Sequence, residues 1–297
     1  GNISVYAGAD ETKAEPEVVA IGSNVTVSGR EKVGGIVGIN EGTLDTSQND
    51  GSIRFLVCKA KLVHATDDYA GGIIGEAKAG NGEAGVQSKK ILRVVNRSVG
   101  VTADNGRAGG IVAVNAAGFA LEECKNIGNV NSDNGYAGGI AAENFGEIIN
   151  CSVGDEYGKD EVLIRSQGAD AIGAVCAVNY GQIRDSAPVK NMTAGAAEVT
   201  LSGTADLIGG IAGKNAAGGV IGKTYQSGFE VTYMPKLDIS ASPLTVGGIA
   251  GLNEGGISGG GEEPGDAAGT NGEPESREAR IEEIRVRGLI FEDFKNY

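Results

Sequence analysis

A Gly-Gly-Ile block opens at Gly34, Gly71, Gly109, Gly138, Gly209 and Gly247, and a Gly-Ala-Val variant opens at Gly173. Successive blocks lie 37, 38, 29, 35, 36 and 38 residues apart. Self-similarity at such a period is the mark of stacked supersecondary units, each burying its apolar face against the next. The rows within the block repeat as well. The third position is Ile36, Ile73, Ile111, Ile140, Val175, Ile211 and Ile249. The fifth is Gly38, Gly75, Ala113, Ala142, Ala177, Gly213 and Gly251. The seventh is Asn40, Asn115, Asn144, Asn179, Asn215 and Asn253, with Ala77 breaking the row.

A helix cannot carry this pattern, because each interior Gly costs about 1 kcal/mol relative to Ala. No apolar stripe of helical period runs along the chain. Short β-rich runs bounded by Gly, Asn and Asp fit strands, and identical positions at a fixed period fit strands stacked in register. The fold expected is therefore all-β, a parallel β-helix of about seven coils with a repeat near 36 residues. Three strands per coil are expected. One is the Gly-Gly-Ile segment. The second follows the Asn-Gly corner, as in residues 146–151. The third precedes the next Gly pair, as in Val25-Thr26-Val27, Val94-Val95, Val162-Leu163-Ile164, Val199-Thr200-Leu201 and Val231-Thr232-Tyr233. Asp104-Asn105-Gly106 and Asp133-Asn134-Gly135 read as turns into the strand.

Alternation assigns the faces. The sixth position holds Glu76, Glu143 and Lys214 among apolar residues, so it is expected to point outward. The Ile row, the Gly/Ala row and the Asn row then point inward. The Gly/Ala row becomes a narrow interior corridor facing large side chains. The Asn row becomes a structural ladder passing amide hydrogen bonds from coil to coil. The fourth position, with Val37, Ile74 and Val112, is expected to form an outward apolar strip. Its functional reading is a docking strip for another chain; its plainer reading is cover by the chain's own loops.

Gly35-Ile36-Val37-Gly38 with Asn40 and Gly42 resembles the GLUG motif, and so do residues 210–213 with Asn215 and residues 248–251 with Asn253 and Gly255. The resemblance covers most of residues 30–258. It departs in the second unit, which lacks the Asn, and in having Ile where Leu is usual. It implies a repetitive scaffold in large secreted or surface proteins of bacteria, adhesin-like proteins among them. It transfers no catalytic residue.

Composition narrows the functions. With 51 Gly in 297 residues but no Gly-X-Y period, collagen is excluded. A net charge of −14 repels phosphate backbones, so nucleic acid is not an expected partner. Apolar runs are short and broken by Gly, so no membrane insertion is expected. Cys58, Cys124, Cys151 and Cys176 are singletons without metal-ligand spacing, and are expected to be packed residues; a disulfide is the lesser alternative for Cys124 and Cys151, which occupy similar places in neighbouring units. His64 is the single His, on an expected surface loop. Asp67-Asp68 and Asp155-Glu156 are adjacent pairs, and neighbours on a strand point to opposite faces, so neither suits paired acid/base work. No catalytic, cofactor or metal residue is expected. Sugar-binding sites usually offer aromatic platforms; there is no Trp, and Tyr69, Tyr136 and Tyr180 are scattered beside the Gly blocks.

Residues 1–30 read as the end of a preceding coil, 31–258 as the repeat domain, 259–280 as an acidic Gly/Pro-rich insertion or linker, and 281–297 as a strand of a truncated further coil. Because residues 284–291 resemble the segment that precedes a Gly pair elsewhere, and the first thirty residues the latter part of a preceding coil, the chain is expected to be a piece of a longer array. The expected function is a non-catalytic repeat scaffold, adhesin-like or spacer, of an exported bacterial surface protein, with a host protein or glycan as partner. The alternatives are a glycan-binding module and a β-helix polysaccharide lyase or glycoside hydrolase.

Overall fold

A computed structural model gives the architecture. It describes residues 3–4, 17–45, 55–79, 89–155, 161–168, 170–189, 199–222, 230–231, 235–239, 245–258 and 285–286. Every regular element among them is a β-strand, and every strand pairing along the stack is parallel. The chain is a parallel β-helix.

One turn shows the plan. Lys125–Asn126 lies in the first sheet, Asn129–Ser132 in the second, Gly135–Gly138 in the third, Ala141–Asn144 in the fourth and Glu147–Ile149 in the fifth. Numbered in that order, sheets 1 to 5 hold six, seven, seven, seven and eight strands. Among the described residues, six successive turns carry a strand in every sheet, and the seventh lacks the one in sheet 1. The expected seven equivalent coils thus reduce to six complete ones and a partial seventh.

Five strands per turn replace the expected three. The Gly-Gly-Ile segment is not a strand. Its first Gly ends a sheet 3 strand, its second Gly and the Ile form a sharp corner, and a sheet 4 strand starts at the next residue. The corner keeps its place in the axial hydrogen bonding: Gly110 N–H donates to Gly138 O at 3.1 Å, and Ile111 and Val112 N–H donate to Ile140 O at 2.9 and 3.0 Å. A corner bonded this way leaves no orphan amide, although the backbone bends. Val94–Asn96, expected just before the Gly pair, lies in sheet 1, two strands earlier. Gly106 and Gly135 open sheet 3 strands with φ of 125° and 144°, which only glycine adopts easily, so the two expected turns are present.

The corner resets the alternation, because no strand period runs through it. Ile73, Ile111, Ile140, Val175 and Ile211 are fully buried, Ile249 nearly so, and Ile36 packs against the same core. The following residue also points inward. Ile74, Val112, Ala141, Cys176 and Ala212 are fully buried in that core, and Val37 is half-buried against it. The expected outward strip of Val37, Ile74 and Val112 is therefore core, and offers nothing to a partner.

The Gly/Ala row does lie in a narrow gap, but backbone faces it rather than large side chains. A Cβ on Gly75 would stand 2.6 Å from Gly38 O, 2.8 Å from the Lys32 carbonyl carbon and 2.9 Å from Val33 N. On that rung sheets 3 and 4 leave no room for a Cβ unless one of them shifts. At the opposite corner, from sheet 5 to sheet 1, Arg93, Glu123, Asn150 and Asp185 take left-handed φ of 49–55°. Each turns the chain so that Val94, Cys124, Cys151 or Ser186 enters the core.

The expected segment 1–30 contributes Ile3–Ser4 to sheet 5, Glu17–Ile21 to sheet 1 and Thr26–Gly29 to sheet 2. Residues 259–280 lie outside the described residues. Of 281–297, Arg285–Val286 pairs with Glu230–Val231 in a separate two-stranded sheet. Among the described residues, no helix is long and apolar enough to cross a membrane.

Candidate functional site

The Asn row is an internal ladder at the end of sheet 4. Asn115 Nδ2 donates to Asn144 Oδ1 at 2.8 Å, Asn144 to Asn179 at 2.8 Å, Asn179 to Asn215 at 2.8 Å and Asn215 to Asn253 at 2.7 Å. The same amides donate to corner carbonyls, as Asn144 does to Gly146 O and Asn179 to Gly181 O, both at 3.2 Å. Asn40, Asn115, Asn144, Asn179 and Asn215 are buried; Asn253, on the last turn, is exposed. An amide suits this place because it donates and accepts at once. The row therefore turns the chain and ties each coil to the next.

Ala77 interrupts it with a visible consequence. Asn115 Oδ1, which would accept from the rung below, is buried without a hydrogen-bond partner. Ala77→Asn places a donor there and an acceptor for Asn40. It is expected to stabilise the protein by about 1 kcal/mol, the usual net value of a hydrogen bond satisfied in the interior. A shifted midpoint in urea unfolding measures it; a midpoint at or below the parent's refutes the ladder energetics.

A second Asn pair escaped sequence reasoning. Asn96 Nδ2 donates to Asn126 Oδ1 at 2.8 Å in sheet 1, and Asn126 closes its own corner by bonding Gly128 at both N and O. The second Gly of the block lies against this pair on two rungs: a Cβ on Gly72 would stand 2.5 Å from Asn96 Cγ, and one on Gly110 2.3 Å from Asn126 Cγ. The interior is that thin at this point. Only two rungs carry the pair, so no repeat signal announces it.

All four cysteines are free and buried. Cys124 and Cys151 are stacked, with Cys124 N–H donating to Cys151 Sγ at 3.4 Å. Burial first, and then Cys124, push the Cys151 thiol well up, and burial likewise raises Cys176. A thiol-specific dye is expected to leave the native protein unmodified and to label four sites after unfolding, since only the exposed thiolate reacts. Rapid labelling of Cys151 in the folded state would contradict this placement.

The outer face over sheets 3 and 4 holds the side chains that vary from rung to rung. Lys32, Tyr69, Arg107 and Tyr136 form one in-register row on sheet 3. Ile39, Glu76, Val114 and Glu143 form a parallel row on sheet 4. The two rows join diagonally. Lys32 pairs with Glu76 at 2.7 Å, Arg107 pairs with Glu143, and Arg107 also reaches Asp68 at 3.5 Å. The Arg107 guanidinium lies 5.1 Å from the Tyr69 ring centroid and 5.7 Å from that of Tyr136. Partial burial opposes its charge, but the Glu143 hydrogen bond and carboxylate hold its pKa above the ordinary value. Beyond the Asn row, Phe145 and Tyr180 stack with ring centroids 4.6 Å apart and planes within 1°.

His64 is not on a loop. It sits in the sheet 2 strand Leu62–Ala65, and its Nε2 lies 2.8 Å from Asp104 Oδ1. Asp67 pairs with Arg30 and Asp68 with Arg107. Asp155 pairs with Arg97, while Glu156 lies outside the described residues. Among the described residues, no group of three or more His, Cys, Asp or Glu is placed to hold a metal ion.

No protein-family model and no curated protein matches the chain. Among solved structures, it is similar to one described as a putative immunoglobulin A1 protease from Bacteroides ovatus. The identity is 18%, the TM-score 0.47, and the match covers 74% of this chain and 66% of that chain.

Proposed function

We propose that this chain is a non-catalytic, GLUG-type repeat scaffold of an exported bacterial surface protein, with a contact face for a host or partner molecule. The observation that carries the reading is the division of labour between the two sides of the wall. Inward positions repeat from rung to rung and bond chiefly to their own copies, as in the ladder from Asn115 to Asn253. Outward positions change from one rung to the next, as along Lys32, Tyr69, Arg107 and Tyr136, and the carboxylates of Glu76, Glu143 and Asp155 are engaged by Lys or Arg neighbours. A carboxylate held by a cation in an ion pair is poorly suited to general acid work, which needs a raised pKa and a free proton.

Two measurements test this. Purified protein incubated with a panel of polysaccharides is expected to release no new reducing ends and no unsaturated products. Turnover abolished by replacing one Asp or Glu would establish a lyase or hydrolase instead. Antibody against the chain is expected to stain intact cells of the source bacterium, and staining only after lysis refutes the surface location.

A glycan-binding module is the second reading, and the exposed stack of Phe145 on Tyr180 is the observation that favours it.

A further inference from the structure

We propose that the outer surface around Phe145, Tyr180 and Tyr136 binds a neutral glycan, and that this is the contact site of the scaffold described above. The proposal rests on that reading for its context and on the following geometry for its substance.

Phe145 and Tyr180 each follow a ladder asparagine. Phe145 N–H donates to Asn115 O and Tyr180 N–H to Asn144 O, both at 2.8 Å, so they occupy one position on successive rungs. The backbone therefore fixes the rings in parallel, and neither has to be ordered when a ligand arrives. Among the described residues these are the exposed aromatic side chains, at 42% and 40%. The same position holds Ala116 on the rung before and Ala216 on the rung after. Within their row, the stack is thus flanked by an alanine at either end.

Polar groups border the rings. Tyr136 packs against the small buried cluster of Ala171, Ala177, Val178 and Ala216, and Ala216 also holds the position that follows Tyr180 in its row. Ala137 is in register with Ile172, so Asp170 stands one residue before the rung neighbour of Tyr136; partial burial first, and then Asp170, Glu143 and Tyr180, raise the Tyr136 phenol. Asp170 is exposed, whereas Glu143 is buried and bonded to Arg107. The patch thus combines two exposed, stacked rings, two phenol hydroxyls and one accessible carboxylate.

A pyranose presents the complement. Its axial C–H groups form an apolar face for the electron-rich ring faces. Its hydroxyls donate to a carboxylate in charge-assisted bonds and exchange hydrogen bonds with phenols. Asp170 and the net charge of −14 repel uronic or sialic acids, so the sugar is neutral. A peptide strand is less suited. The patch lies on a sheet face whose backbone groups are already paired, so strand addition has no edge to use.

The test uses the whole chain with soluble cello-, manno- and chito-oligosaccharides, followed by calorimetry and by tyrosine fluorescence, which no Trp obscures. Saturable binding to at least one series is expected. Tyr180→Ala and Phe145→Ala are each expected to weaken it about tenfold, the scale of one lost stacking contact. Tyr180→Phe should retain most of the affinity, Asp170→Asn should weaken it several-fold, and Thr102→Ala on sheet 2 should leave it unchanged. Melting curves of every variant separate lost binding from lost fold. No saturable binding to any series overturns the proposal, as does binding that both ring variants leave intact. Tighter binding of oligouronates than of neutral sugars also overturns it, and so does binding of a proline-rich peptide that the oligosaccharides do not displace. These failures leave the scaffold reading standing. Cleavage of a bound oligosaccharide would instead sink the non-catalytic reading while the ring variants still locate the site.

Discussion

Gly138→Ala is expected to destabilise the protein by about 3 kcal/mol or more, beyond the usual range for an overpacked interior. Gly138 ends a sheet 3 strand, and a Cβ there would stand 1.8 Å from Ala141 O and 2.9 Å from Ala177 N on the next turn. Both obstacles are backbone, so no side chain can rotate away. Its φ is not left-handed, which makes the requirement one of room and not of conformation. Gly118 provides the contrast, with a φ of 84° and nothing within 4 Å of the place a methyl would take, so Gly118→Ala carries only backbone strain of about 1 kcal/mol. Urea unfolding of the two variants measures the difference. Equal midpoints would mean that sheets 3 and 4 are not in the close contact described.

Asn179→Ala is expected to cost about 3–5 kcal/mol, because it removes several buried hydrogen bonds and strands their partners. Asn179 accepts from Asn144 at 2.8 Å and donates to Asn215 Oδ1 at 2.8 Å, to Gly181 O at 3.2 Å and to Val220 O at 3.4 Å. After the change, Asn215 Oδ1 loses its donor in a site closed to water. Asn253→Ala, at the exposed end of the same ladder, should cost far less, since water can replace what is lost. Similar thermal midpoints for the two variants would show that the amides act singly and not as a ladder.

The stacking of the chain was legible because period is a property of sequence and needs no side-chain geometry. The number of strands was not. Ile111 and Val112 are consecutive apolar residues, and on a strand one of them would face out. Both enter the core because a corner separates them. Nothing local marks that corner as a bend, since its amides remain in the axial ladder and its Gly pair serves closeness as much as turning. The sheet 5 to sheet 1 corner was hidden for another reason. Its left-handed residues are Arg93, Glu123, Asn150 and Asp185, and only Asn150 and Asp185 are of the types that tolerate that conformation well.

The candidate contact face was partly readable. Phe145 follows Asn144 as Tyr180 follows Asn179, and Tyr69, Arg107 and Tyr136 each stand two residues before a block Gly. Equal offsets from equal markers imply one row of the stack. Scattered along the sequence, these aromatics look unrelated; laid on the period, they are neighbours. The ion pairs that tie Arg107 to Glu143 and Lys32 to Glu76 cross between two sheets, and no offset predicts a diagonal.

Seven times the chain passes from sheet 3 to sheet 4, and each time two residues make the link: 35–36, 72–73, 110–111, 139–140, 174–175, 210–211 and 248–249. The other links vary; from sheet 1 to sheet 2, residues 127–128 suffice on one turn, and 154–161 are used on another. The turn from Gly109 to Gly138, 29 residues long, is the shortest, and the longest reach 38. All of that difference is absorbed away from the sheet 3 to sheet 4 link. Where two backbones touch, an added residue has no volume to occupy; at the remaining corners it can leave the wall and return. Insertions and deletions are thus confined to four corners of a five-cornered section, and the chain can acquire or lose loops without disturbing the seam that holds each turn closed.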